Sequence, residues 1–124
     1  KLLFKASREA LGGEIFVMIM PSCRIIDLAD VLAEELGVTN YRLRELGIRP
    51  GEKIHEILYS EYESQHTVVY DHEYLVILPS LEIPGLKEAY RAYPPVKNRT
   101  YSSADSLMSR EEIRQMLKKG RFLP

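Results

Sequence analysis

Residues 67–78 constrain the fold more tightly than any other stretch of this chain. Residues 67–70 (TVVY) and 74–78 (YLVIL) are β-branched and aromatic runs separated only by Asp71-His72-Glu73. Such residues suit the pleated surface of a sheet, and three polar residues between two such runs make a tight turn. Two strands joined by that turn are therefore expected, with Pro79 stopping the second because it has no N–H for a ladder. A third run, residues 14–19 (EIFVMI), has the length and composition of a buried strand; Gly12-Gly13 precedes it and Pro21-Ser22 ends it.

Beyond Arg24 the apolar period changes. Ile25, Ile26, Leu28, Ala29, Val31, Leu32 and Leu36 form a stripe of helical spacing, with Asp27, Asp30, Glu34 and Glu35 on the other side. The pattern predicts a helix with Ser22 as N-cap and Gly37 as the C′ residue. Residues 1–10 are mixed and fit a helix end or a helix parted from its partner. Tyr41, Leu43 and Glu45 alternate with Arg42, Arg44 and Leu46, which predicts a half-exposed strand, and residues 55–62 read as a short helix. Residues 79–105 hold four prolines and Gly85 and form an irregular connector. A last helix is signalled by Ser109 with Glu112 as a capping box, Leu107 or Met108 as a staple, and Gly120 at its close.

The expected order is β-α-β-turn-α-β-β-coil-α, an α/β chain with a small mixed sheet. Its 124 residues suit one domain, 1–124. A net charge of −1, from 17 basic and 18 acidic residues, argues against a general nucleic-acid or membrane-surface binder. The single Cys23 forms no internal disulfide and leaves no cysteine framework for zinc, which fits a reducing, cytoplasmic setting. No apolar run approaches the roughly 20 residues of a membrane-spanning helix.

Several motifs that would carry chemistry fail on inspection. Tyr93 and Lys97 have the Tyr-x-x-x-Lys spacing that puts a phenol and an ammonium on one helix face, but Pro94 and Pro95 lie between them and forbid the helix. His55-Glu56 begins like a zinc-protease motif, yet position 59 is Tyr, so no metal site is expected. His66, and Asp71-His72-Glu73, read as a solvated hairpin rather than a cation site. Ser102, Ser103 and Ser109 lack a Gly-x-Ser-x-Gly context, and Cys23 beside Arg24 reads as an inert thiol at a strand–helix junction. There is no Gly-x-Gly-x-x-Gly and no P-loop, so no catalytic residue and no cofactor-binding residue is assigned.

One short stretch resists a bland reading. Residues 47–56 read GIRPGEKIHE, a Pro50-Gly51 turn carrying Arg49, Glu52 and Lys53. One reading is a charged loop facing water. The other uses the chemistry of the groups: Arg49 offers a flat fork of donors suited to a diphosphate, and Glu52, three residues on, can accept from both hydroxyls of a ribose. Arg49 and Glu52 are the candidate substrate-binding residues.

Taken in order, Gly13-Glu14-Ile15-Phe16-Val17, Pro21-Ser22, Ile26-Asp27-Leu28-Ala29, residues 47–56, the YLVILP of residues 74–79, Tyr101-Ser102-Ser103, Leu107 and Ser109-Arg110-Glu111-Glu112 resemble the C-terminal part of bacterial UDP-N-acetylglucosamine 4,6-dehydratases and related 4-epimerases. These belong to the extended short-chain dehydrogenase/reductase superfamily and serve polysaccharide biosynthesis. The resemblance implies a substrate-binding portion, a fragment of a longer chain, that caps a UDP-sugar but does not turn it over alone. By it, Arg49 would contact the UDP diphosphate and Glu52 the ribose. NAD(P) and the catalytic residues would sit in a missing N-terminal Rossmann domain. That domain would be a partner, and an apolar face left by its loss would favour a homo-oligomer. Two departures stand out: the family carries Pro-Lys after the Phe-Val strand where this chain has Met18-Ile19, and residues 81–98 match no family pattern. A 4-epimerase of the same family is the near alternative. A free-standing interaction module that binds no sugar is the distant one.

Overall fold

The computed structural model describes residues 1–123. They form two compact units: residues 1–20 with 57–102, and residues 21–56 with 103–123.

The first unit is built on a sheet. Helix α1 (Leu2–Glu9) leads to strand β1 (Ile15–Met18); β3 (Thr67–Val69) and β4 (Tyr74–Ile77) form the expected hairpin. Strand order is β1-β4-β3, with Phe16 opposite Val76 and Val68 also opposite Val76. The central place of β4 explains its unbroken apolar run. Side chains alternate across a strand, and both faces of β4 are covered. Val76 packs with Phe16, Leu86 and Tyr90 on one side, while Leu75 and Ile77 pack with Tyr59 and Tyr101 on the other. The strand pairings are antiparallel, not mixed as expected; for β3–β4 the hairpin turn of residues 71–73 is far too short for a parallel crossover. The outer edge of β3 is closed by the proline segment: Val69 N–H donates to Pro94 O (2.8 Å) and Val96 N–H to Thr67 O (3.1 Å). Tyr93 stacks on Tyr70 at 5.0 Å, so the Tyr93–Lys97 spacing belongs to a loop.

Two half-buried carboxylate ties finish this unit. Glu14 accepts from Leu11 N–H (2.7 Å), Gly12 N–H (2.6 Å) and the Tyr90 hydroxyl (2.9 Å). Burial opposes its charge, yet these donors outweigh burial and hold the carboxyl below its usual range. The Tyr70 hydroxyl donates to Glu9 (2.8 Å), which with burial pushes the phenol up to about 12. Gly13 sits at φ +90°, a backbone conformation that other side chains rarely adopt, which suits glycine to the bend before β1.

Residues 55–62 are not one helix. Strand β2 (Ile57–Tyr59) pairs with β5 (Tyr101–Ser102), and α3 (Glu61–Ser64) follows. Ser60 and Glu63 form a capping box, which fixes the start of α3 at Glu61 and leaves the three residues before Ser60 extended. The connector of residues 79–105 also contains a short α4 (Leu86–Ala89), whose Leu86 fills the core beneath Phe16.

The second unit is a helix pair, α2 (Ile25–Glu35) and α5 (Arg110–Lys119). Val31, Ile113 and Leu117 are buried between them, with Leu28, Leu32, Cys23 and Met108 packed around. Above that narrow seam, Arg114 reaches Glu35 (2.6 Å), Glu34 (2.8 Å) and Glu111 (2.6 Å), Lys118 reaches Glu35 (3.2 Å), and Arg110 pairs with Asp27 and Asp30. Helix α2 ends as its sequence predicts: Gly37 is left-handed at φ +68°, Val38 N–H donates to Ala33 O and Gly37 N–H to Glu34 O. Its start differs. Arg24, not Ser22, is the N-cap, and it makes no side-chain cap bond. The Ser109–Glu112 capping box opens α5, and Gly120 is its C-cap, but the left-handed position beyond it falls on Arg121 (φ +58°).

Candidate functional site

Residues 40–56 run between α2 and β2 without a helix or strand, and every side chain from Tyr41 to Ile54 is exposed. The strand expected at residues 41–46 is therefore absent: its alternation is real, but among the described residues no strand pairs with it. Tyr41 is fastened by its hydroxyl, which donates to Asp30 on α2.

Within this stretch the one tight feature is the predicted turn. Glu52 N–H donates to Arg49 O (3.0 Å), with Pro50 and Gly51 between, and Gly51 is at φ +86°. That is the geometry of a type II turn, whose third position requires a positive φ and so glycine. The turn brings the two candidate residues together. One oxygen of Glu52 accepts from Arg49 N–H (2.8 Å), and the other lies 3.9 Å from Arg49 Nε. The carboxylate thus holds the Arg49 backbone firmly and its guanidinium only loosely, and Arg49 remains 80% exposed and Glu52 51%. Lys53 pairs loosely with Glu56 (4.0 Å) and takes no part. Chemically, the turn holds an outward fork of donors beside a carboxylate with lone pairs to spare. That set can take a diphosphate and a diol.

Sequence reasoning missed the surroundings. A cavity of ≈320 Å³ in the same unit is bordered by Ile25, Ile54, Leu107, Arg24, Ser22 and His55. Ser22 does not cap α2; its hydroxyl donates to Ser103 O (2.6 Å) and Ser106 O (3.1 Å), and Met108 N–H donates to Ser22 O (2.8 Å). Glu56 is tied to Ser103 as well, through Glu56 N–H to Ser103 Oγ (3.1 Å) and Ser103 N–H to Glu56 O (2.9 Å). The Glu56–Ser103 bonds fix the C-terminal end of the exposed stretch. The nearest sequence signal was the Ile54-His55 pair directly after the turn.

A larger cavity of ≈510 Å³ lies in the sheet unit beside Phe4, Lys5, Arg8 and Tyr74. Of its cations, Lys5 is already used: Lys5 Nζ is 2.9 Å from Glu9 and 3.0 Å from Asp71, and lies over the rings of Tyr70 and Tyr74. Those hydrogen bonds raise its pKa and hold it as a structural ammonium.

With this geometry in view, the chain matches a family profile described as polysaccharide biosynthesis protein over residues 1–78, a span that includes the Arg49–Glu52 turn. The chain belongs to this polysaccharide-biosynthesis family. It is 42% identical over 71 residues to the UDP-N-acetylglucosamine 4,6-dehydratase (inverting) of Campylobacter jejuni, a match covering 57% of this chain and 20% of that enzyme. An uncharacterized membrane protein of Methanocaldococcus jannaschii is 34% identical over 131 residues, 99% of this chain and 36% of that one. In this chain, no helix among the described residues is long and apolar enough to cross a membrane. Among solved structures, Pen from Bacillus thuringiensis superposes with a TM-score of 0.78 at 28% identity, over 98% of this chain and 34% of Pen. The chain thus spans between a fifth and about a third of the length of these relatives.

Proposed function

We propose that this chain is the UDP-sugar-binding C-terminal portion of a nucleotide-sugar 4,6-dehydratase of the UDP-N-acetylglucosamine type, an extended short-chain dehydrogenase/reductase acting in the cytoplasm. The identity to a named dehydratase supports the substrate class. The observation that carries the reading is the turn itself, where Glu52 accepts from the Arg49 backbone N–H and the Arg49 guanidinium stays 80% exposed beside it. Arg49 binds the diphosphate and Glu52 the ribose diol. A diphosphate stays charged throughout the reaction, so this contact holds and orients the substrate rather than taking part in bond making.

The residues present do not fit a dinucleotide: the chain has no Gly-x-Gly-x-x-Gly run. NAD(P) and the acid–base residues belong, in this reading, to the Rossmann portion of the enzyme. The choice between dehydratase and 4-epimerase lies there too.

A second reading has one observation in its favour. Arg49 and Glu52 pair with each other and face solvent, as the residues of an interaction module with no sugar ligand would. Calorimetric titration of the chain with UDP-N-acetylglucosamine separates the two. Saturable binding that Arg49→Ala weakens supports the nucleotide-sugar portion; no heat at millimolar ligand supports the module.

A further inference from the structure

Among the described residues, no backbone N–H or C=O from Thr39 to Ile48 has a backbone hydrogen-bond partner. The side chains of this run alternate as a strand's do, yet Leu43 (58% exposed) and Leu46 (76%) are left in water. Arg42, Arg44 and Glu45 make no ion pair among the described residues. Unpaired backbone with strand-like side chains is a template for another strand. Its usable length is short. The Tyr41 hydroxyl is fastened to Asp30 on α2, and Gly47 turns left-handed at φ +78°, so residues 42–46 are the free run.

The charges in that run select its partner. Two copies paired parallel and in register would set Arg44 on Arg44 and Glu45 on Glu45, and like charges directly opposite destabilise a ladder. An antiparallel pairing centred on Arg44 or on Glu45 keeps one such clash at its centre. Centred between residues 44 and 45, the antiparallel register places Arg44 of each copy opposite Glu45 of the other, and Leu43 opposite Leu46. A centre between residues 43 and 44 sets Leu43 against Arg44, and one between 45 and 46 sets Glu45 against Leu46. Register is decided by such pairs, and here one register matches charge to charge and leucine to leucine.

We propose that residues 43–46 form an antiparallel ladder with the same residues of a second copy, about a two-fold axis between Arg44 and Glu45. The contact is isologous, so it closes at a dimer and leaves no further edge of the same kind. A two-stranded ribbon this short is marginal in water, so the dimer is weak. It needs no nucleotide.

Sedimentation of the full chain without ligand, from micromolar to millimolar protein, tests it. Wild type should pass from monomer to dimer, and amide exchange between residues 43 and 46 should slow as it does so. Arg44→Glu and Glu45→Arg each oppose like charges across the axis. Either should weaken dimerisation at least about tenfold, because the symmetry makes every change count twice. Both positions are exposed, so the fold does not depend on them. An equimolar mixture of the two variants should recover the dimer, since each supplies the charge that the other lacks. A wild-type monomer at millimolar concentration, a dimer indifferent to both variants, or a mixture that stays monomeric overturns the proposal.

Discussion

In the sheet unit, β4 places Tyr74, Leu75, Val76 and Ile77 in the interior, and two separate apolar clusters cover its faces. Among the described residues of the helix unit only Val31, Ile113 and Leu117 reach that depth, and three cations against Asp27, Asp30, Glu34, Glu35 and Glu111 stitch the rest. The candidate site is carried by the second kind of unit, on a stretch with no helix or strand. Ligand contact needs exposed polar groups on backbone that can adjust, and a core closed on both faces has neither. One unit supplies rigidity, and the other presents chemistry.

Native-state hydrogen exchange, read separately on β4 and α5, can break that comparison. Leu75→Ala should have the largest effect, about 2–5 kcal/mol, because it leaves a cavity in a closed core. The loss should be seen first at β4 amides. An equal loss at α5 would mean the two units open as one.

Glu14→Gln comes next, at about 1–3 kcal/mol near neutral pH, since it removes a carboxylate that accepts three donors. The pH dependence has a definite sign. Glu14 has a lowered pKa in the fold, so its contribution is present above the carboxyl's ordinary pKa and is lost as pH falls through the folded value. Wild type and variant should converge in acid; a difference that persists there would assign the effect to packing. In the helix unit, Arg114→Met should cost less than either change, and the cost should shrink in 1 M salt, where surface charges are screened. A salt-independent loss would make the arginine a packing residue. The smallest change has the opposite sign. Arg121→Gly relieves a left-handed residue after α5 and should stabilise that helix by about 1 kcal/mol or less. Faster exchange at α5 in this variant would show that the Arg121 side chain contributes more than its backbone costs.

What the sequence disclosed follows the range of the interactions. The β3–β4 hairpin, β1, the Schellman end of α2 and the Ser109–Glu112 box are decided by neighbours, and all were legible. Strand β2 was not, since its three residues become a strand only through partners at residues 101–102. The Ser60–Glu63 capping box was a local signal of the same kind as Ser109–Glu112, and it marks the boundary that the short-helix reading of residues 55–62 overlooked. Ser22 was misassigned for a non-local reason: its hydroxyl bonds to carbonyls more than 80 residues away. For the same reason the cavity beside Ile54 could not be read from sequence, whereas the Pro50-Gly51 turn that carries Arg49 and Glu52, closed within four residues, could.

The central claim is that Arg49 reads the diphosphate and Glu52 the ribose diol. Affinities of UDP, UMP and 2′-deoxy-UDP for the wild-type chain, Arg49→Ala and Glu52→Gln test it directly. A charge-assisted contact contributes about 1.5–3 kcal/mol, so Arg49→Ala should weaken UDP about ten- to a hundredfold and bring it close to UMP. Glu52→Gln should cost less overall but erase part of the preference for UDP over its 2′-deoxy analogue. If both ratios keep their wild-type values in both variants, the charged turn is a solvated loop and the account is wrong.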